Sequence, residues 1–250
     1  MTNHLPLLLA SASPRRQQIL SRLGLPFTTG VAPTDEDAAQ EYYRGPLEGL
    51  AQWTAAHKAL MMYTQPGTVN HLVITADTTV LLDQQVLGKP RDEEHARALL
   101  RVLRGRWHRV ITGVVVTALT NGQLHSRGAS RTTPVLMRPY TEAEIDAYIA
   151  TGDPLDKAGA YGIQHPQFQP TERIDGCYLN VVGLPLCTLV NLLAEFGVHP
   201  TSQGCIGTAC PWSERCIING PRQESPAFMH GEEGAFHCWE TGETSDKRQP

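Results

Sequence analysis

No apolar stretch in this chain approaches a membrane span: the longest, around Val114-Val115-Val116, falls far short of the roughly 20 residues that a bilayer core requires. Leu5 to Ala10 followed by Ser-Ala-Ser imitates a secretion signal, but a basic region is missing in front of it and the apolar part is too brief. The expectation is a soluble, cytoplasmic chain with no membrane partner. An excess of positive charge is missing too, since 21 Lys plus Arg face 25 Asp plus Glu for a formal net charge of −4. No global field draws nucleic acid, so a polyanion must be caught by a local site. Repeats at solenoid periods are absent. Disulfide staples are not needed, because 250 residues bury a sizeable core unaided. With 41% apolar and 18% charged residues, the composition is that of a globular chain rather than a disordered one.

The cysteines that are present divide the chain. Cys177 and Cys187 lie among apolar residues and are expected to be buried. Cys205, Cys210, Cys216 and Cys238 crowd into the last 46 residues, where hydrophobic periodicity has stopped and Pro, Gly, Ser and Glu take over. A compact domain over 1–198 followed by a Cys-rich extension over 199–250 is the expected organisation. The extension reads C-x4-C-x5-C-x21-C with His230 and His237 nearby. Such a set can hold Zn²⁺ or an iron–sulfur cluster, or remain as thiols that pair under oxidation.

Within the first domain, strand-like and helix-like segments alternate. Leu5 to Ala10 reads as a buried strand, and Ser13-Pro14 as the N-cap and first residue of a helix that Gly24 ends. Leu72 to Ala76 reads as a strand stopping at Asp77, and Val80–Leu82 with Val86-Leu87 as a hairpin. Asp92 opens a helix with Ala96, Leu99, Leu100 and Leu103 on one face. Trp107 to Leu119 and the return strand to Met137 meet at Asn121-Gly122, a strong hairpin signal. Thr141 to Glu144 is a capping box, and a last helix runs from near Pro185 to Phe196. The order predicts a mixed α/β or α+β fold rather than a strict doubly wound sheet.

Ser11-Ala-Ser13-Pro14-Arg15-Arg16 places two guanidinium groups in the first turn of a helix, where the dipole already disfavours cations. The arrangement makes sense when an anion arrives: free N–H groups, Ser11 and Ser13 hydroxyls and two Arg forks suit a di- or triphosphate. Solvated arginines paired with surface acids are the alternative. Asp77 at a strand end is placed either to take a proton or hold a metal, or to cap a turn at Thr78. Asp35, Glu36 and Asp37 form either a solvated loop or part of a Mg²⁺ site. Lys58, Lys89 and Lys157 are each ordinary surface charges taken singly, but as a set they would converge on a triphosphate.

Six motifs run in order along the chain: Leu-Ala-Ser-Ala-Ser-Pro-Arg-Arg (9–16), Ala-Asp-Thr (76–78), Leu-Gly-Lys-Pro (87–90), Thr-Gly-Val (112–114), Pro-Leu-Asp-Lys-Ala-Gly-Ala-Tyr-Gly-Ile-Gln (154–164) and Val-Val-Gly-Leu-Pro (181–185). In these motifs the chain resembles the Maf family of nucleoside triphosphate pyrophosphatases. The resemblance covers about residues 5–197 and leaves out the tail. It implies an elongated mixed β-sheet flanked by helices, with two lobes and a central nucleotide-binding cleft. It also implies hydrolysis of a nucleoside triphosphate to monophosphate and pyrophosphate with Mg²⁺ or Mn²⁺, in a homodimer. Asp77 matches the family's proton acceptor. Arg15, Thr78 and Gln164 match positions that govern base choice in the subgroup acting on dTTP and UTP, and modified pyrimidine triphosphates fit the same reading. Ser11, Ser13, Arg16, Lys58, Lys89 and Lys157 would bind the phosphates, and Glu36 with Asp77 the divalent ion. The family also carries an association with septum formation, so a non-catalytic nucleotide-binding regulator of cell division is the competing expectation.

Overall fold

In the computed structural model, which describes residues 5–200, the apolar run Leu7–Ala10 forms strand β1, buried along its whole length. Pro14 occupies the first turn of α1 (Pro14–Ser21), and the Ser13 side chain caps it by accepting the Arg16 backbone N–H. Gly24 follows the helix at φ 67°, a left-handed conformation that costs glycine little. Next come β2 (Phe27–Gly30), α2 (Glu36–Glu41), α3 (Leu50–Met62), β3 (Leu72–Leu82) and β4 (Gln85–Leu87). Helix α4 (Glu93–Leu103) is capped by Asp92 and buries Ala96, Leu99, Leu100 and Leu103, the four positions its spacing predicts. The hairpin of β5 (Trp107–Thr120) and β6 (Gln123–Met137) turns at Asn121-Gly122, both at positive φ. Helix α5 (Glu142–Ile149) has the full capping box of Thr141 and Glu144. The order closes with β7 (Thr171–Ile174), α6 (Tyr178–Val182) and α7 (Leu186–Glu195).

Among the described residues the strands form one sheet in the order β2-β1-β3-β5-β6-β7, with β4 paired to β3. β1 runs parallel to both of its neighbours and the other pairings are antiparallel. Helices flank this mixed sheet, giving an α/β fold.

Two expectations are corrected. β3 does not stop at Asp77 but continues through it to Leu82, because the ladder with β5 runs unbroken from Val73↔Thr117 to Leu81↔Arg109. Thr78, Thr79 and Val80 are β-branched and suit such a pleated strand. Cys177 is buried as expected, whereas Cys187 is half-buried on α7. The 198/199 boundary and the tail cysteines concern a tail that, from residue 201 onward, lies outside the described residues.

The core on one face of the sheet is split. One cluster joins Leu7 and Leu9 to Ile74, Val114 and the α7 leucines, and another joins Val80, Leu82 and Val110 to α4 and α5. Between them β3 and β5 present Thr78 and Thr112, a polar waist between two apolar halves.

On the opposite face lies α3. Ala51, Ala55 and Ala59, four residues apart, face Leu81, Ile111 and Val115 of the sheet. Gly113 permits the approach, since a Cβ there would meet the backbone of Gln52 and Ala51 well inside contact distance. Thr75 Oγ1 donates to Ala55 O at 2.7 Å and fixes the helix along the strand.

Candidate active site

The site forms where the sheet has an opening. β1 pairs with β3 only as far as Leu9↔Ile74, and β4 begins pairing at Val80↔Leu87. Among the described residues, 75–79 of β3 therefore have a strand partner on one side only, β5. Side chains alternate along a strand, so Asp77 leaves this free edge toward α3 and Thr78 toward the other face.

On the α3 side, Lys58 sits one helical turn beyond Thr54 and Ala55 and projects over β3. Its Nζ lies 2.7 Å from Asp77 Oδ1 and 2.9 Å from Glu36 Oε1, so one ammonium bridges two carboxylates. The Lys58 and Asp77 side chains are only 7% and 9% exposed, against 39% for Glu36. Burial alone would raise the Glu36 pKa, but the Lys58 charge and hydrogen bond outweigh it, helped by Lys89 and Arg16. The Glu36 carboxyl is thus held below its ordinary value. Lys89 Nζ stands 3.8 Å from Glu36 Oε2 at the exposed rim.

The acidic cluster before α2 thus has two distinct uses. Asp35 Oδ1 accepts the Ala38 N–H at 3.1 Å and caps the helix, while Glu36 turns inward to Lys58. Two further contacts strap this segment to α3: Thr34 Oγ1 lies 3.0 Å from His57 Nδ1, and Trp53 Nε1 donates to Ala39 O.

On the Thr78 side, Arg16 reaches across from α1. Its Nε donates to Gly183 O at 2.8 Å, Nη2 to Thr78 Oγ1 at 3.3 Å and Nη1 to Ser11 Oγ at 3.5 Å. Ser11 Oγ also accepts the Ser13 N–H at 3.2 Å. Burial lowers the Arg16 pKa from its ordinary value, and the charges of Asp77 and Glu36 oppose that shift. Gly183 sits at φ 117° with its missing Cβ position only 3.3 Å from Thr78 Oγ1, so this crossing is shaped for glycine. Arg15, beside Arg16, makes no side-chain hydrogen bond or ion pair among the described residues and is half-buried.

Glu36, Lys58 and Asp77 therefore form one cluster, and Ser11, Ser13, Arg16 and Thr78 another, flanking the same strand edge. Lys157 is engaged elsewhere. Its Nζ donates to Asp153 O, Asp153 Oδ1 and Asp156 Oδ1 at 2.6, 2.9 and 2.6 Å, within its own turn. That turn is tied to the Lys89 loop through Gly159 N–H to Gly88 O at 3.0 Å. Gln164 is exposed and hydrogen-bonds the Tyr178 side chain at the start of α6.

Three residues that support the site were not among its expected members. Gly113 lets α3 approach, Asn180 rivets α6 to the sheet, and Thr112 touches both Thr78 Oγ1 and Asn180 O, at 2.9 and 2.8 Å. Thr112 and Gly113 fall in a short motif, but nothing local marks their partners. No group of three or more His, Cys, Asp or Glu side chains is placed to hold a metal among the described residues. Nor is any helix among them long and apolar enough to cross a membrane.

These features define an α/β protein with an anion-ready helix start and a buried cation–carboxylate cluster on either side of one open strand edge. The chain belongs to the Maf-like protein family, whose family model matches residues 6–196. A Dehalococcoides mccartyi (strain CBDB1) protein named dTTP/UTP pyrophosphatase is 46% identical over 200 residues, covering 80% of this chain and 86% of the relative. Proteins of the same name from Thermomicrobium roseum and Moorella thermoacetica are 44% and 45% identical. They cover 85% and 77% of this chain, and 93% and 95% of their own lengths.

Proposed function

We propose that this chain is a nucleoside triphosphate pyrophosphatase acting on dTTP and UTP, which keeps unwanted pyrimidine nucleotides from polymerases. The observation that carries the reading is the pairing of Asp77 with Lys58 across a strand edge from Arg16. A carboxylate and several cations thus lie around one opening, as attack of water on a phosphoanhydride requires. Relatives with the dTTP/UTP name, matched over most of both chains, support the substrate class.

In this mechanism the triphosphate lies along the edge of β3, its charge met by Arg15, Arg16, Lys58 and Lys89 and by the Ser11 and Ser13 hydroxyls. Asp77 takes a proton from a water aimed at the α-phosphorus. The new P–O bond forms as the bridging α–β P–O bond breaks, leaving monophosphate and pyrophosphate. Lys58, already between Asp77 and Glu36, moves charge toward the phosphates as they enter. Lys157 joins them by exchanging Asp153 and Asp156 for phosphate oxygens. Gln164 offers donor and acceptor to the pyrimidine edge, with Arg15 and Thr78 beside it.

A divalent ion fits this donor set. Glu36 and Asp77 supply two hard carboxylates, and Mg²⁺ commonly takes one or two of these together with substrate phosphates. When bound, Mg²⁺ or Mn²⁺ neutralises charge on the phosphate chain and the leaving pyrophosphate. A cytoplasmic homodimer completes the reading, and light scattering tests the dimer.

The test is pyrophosphate release with Mg²⁺ from dTTP, UTP, modified uridine triphosphates and 7-methyl-GTP. Release selective for the pyrimidines is the expected result. Release from 7-methyl-GTP alone overturns the substrate class, and release from none overturns the activity.

A further inference from the structure

Hydrogen-bond directions can be assigned along the whole chain of groups that leads from Arg16 into the sheet. Thr112 Oγ1 lies 2.8 Å from Asn180 O, and a carbonyl oxygen only accepts, so the single Thr112 hydroxyl proton points there. Thr112 Oγ1 must then be the acceptor in its 2.9 Å contact with Thr78 Oγ1, which makes Thr78 the donor. With its proton committed inward, Thr78 Oγ1 accepts from Arg16 Nη2 at 3.3 Å and, on a half-buried side chain, keeps one lone pair that no described residue fills.

The far end of the chain is equally determined. Asn180 Nδ2 donates to Val110 O at 2.9 Å and Thr133 Oγ1 at 3.0 Å, and Oδ1 accepts the Thr112 N–H at 3.2 Å. Thr133 in turn gives its proton to Cys177 O. Thr112, Thr133 and Asn180 are fully buried, so water does not offer them alternative partners.

We infer that Thr112, which lies beneath the site and touches no substrate, is a positioning residue that makes Thr78 an obligate acceptor. What Thr78 selects is therefore a donor on the nucleotide. Ionised phosphate oxygens do not donate; the imide N–H of uracil or thymine and the sugar 3′-hydroxyl, which dTTP and UTP share, do. The imide separates UTP from CTP, whose ring nitrogen at that position is an acceptor. The inference rests on the triphosphate reading above and specifies how its base or sugar end is recognised.

The experiment measures UTP, CTP and 3′-deoxy-UTP binding by calorimetry for the wild type, Thr112→Val and Thr112→Ser. Valine keeps the shape but removes the hydroxyl, releasing the Thr78 proton to turn outward. The expected result is that valine narrows the UTP preference by about tenfold, the cost of one misdirected hydrogen bond. Serine restores it. Narrowing against CTP identifies the imide as the donor, and narrowing against 3′-deoxy-UTP identifies the sugar. Thr112→Ala serves the same purpose should the valine variant not fold. Unchanged ratios in the hydroxyl-free variants overturn the inference, as does a serine variant that matches valine, or a wild type that binds all three nucleotides alike. Selective binding without pyrophosphate release overturns the proposed reaction and leaves the inference standing.

Discussion

Replacing Lys58 with methionine removes the ammonium between Asp77 and Glu36 while keeping most of the packed stem. In the wild type Nζ lies 2.7 Å from one carboxylate and 2.9 Å from the other, with the Asp77 side chain 9% exposed. Breaking a buried pair by removing one partner costs about 3–5 kcal/mol, since the remaining charge is left uncompensated. Glu36, 39% exposed, contributes a smaller, solvent-screened share, and it is the share that changes with pH. Wild-type Glu36 has a lowered pKa, so its contribution is full above the ordinary value of 4.5 and is lost as pH falls through the depressed value. In the variant, burial and the facing Asp77 raise the Glu36 pKa, and stability is lost as pH rises through it. The deficit between the two proteins should therefore be large at pH 7 and shrink as pH falls below about 5. Urea unfolding followed by circular dichroism at several pH values measures it. A deficit under about 1 kcal/mol at pH 7, or one that does not change with pH, refutes the reasoning.

Gly113→Ala should destabilise the protein by about 1–3 kcal/mol and weaken nucleotide binding, because the added methyl forces α3, and Lys58 with it, off the sheet. Thermal melting and calorimetry check the two effects, and a variant normal in both contradicts the close-packing account. His108, 3% exposed and bonded to Tyr161 Oη at 2.6 Å, has its pKa pushed by burial from 6.5 down to about 4. The unfolded chain then binds more protons between those values, so stability should decline by about 3 kcal/mol as pH falls from 6.5 to 4. His108→Gln keeps a partner for Tyr161 without titrating and should flatten that slope; an unchanged slope assigns the effect elsewhere. Arg16→Lys should weaken triphosphate binding more than tenfold, since a point charge does not reproduce contacts to Gly183 O, Thr78 and Ser11 together. Equal affinity would show the fork to be dispensable.

Local rules made several elements legible. Ser13-Pro14 announces α1, Asp92 and the leucine spacing announce α4, Asn121-Gly122 announces the long hairpin, and Thr141 to Glu144 announces α5. Each of these signals lies within a few residues of its effect. The strand through Asp77 was not legible, because what continues it is the β5 ladder, formed by residues 28 to 36 positions away. The same holds for the site. A helix start with two arginines is readable, but the bridge of Lys58 to Asp77 spans 19 positions, and the Thr112–Asn180 contact spans 68. Lys157 is the converse case: its neighbours in sequence, Asp153 and Asp156, hold the ammonium while the set of lysines pointed to phosphate.

In the proposed reaction, water held by Asp77 attacks the α-phosphorus. Turnover of UTP in ¹⁸O-labelled water, with the products resolved by mass spectrometry, tests it most directly, alongside an Asp77→Asn control. The expected result is one label in the monophosphate and none in pyrophosphate, with the rate lowered by about 10²-fold or more in the control. Label in pyrophosphate, or an Asp77→Asn protein that turns over at the wild-type rate, would contradict it.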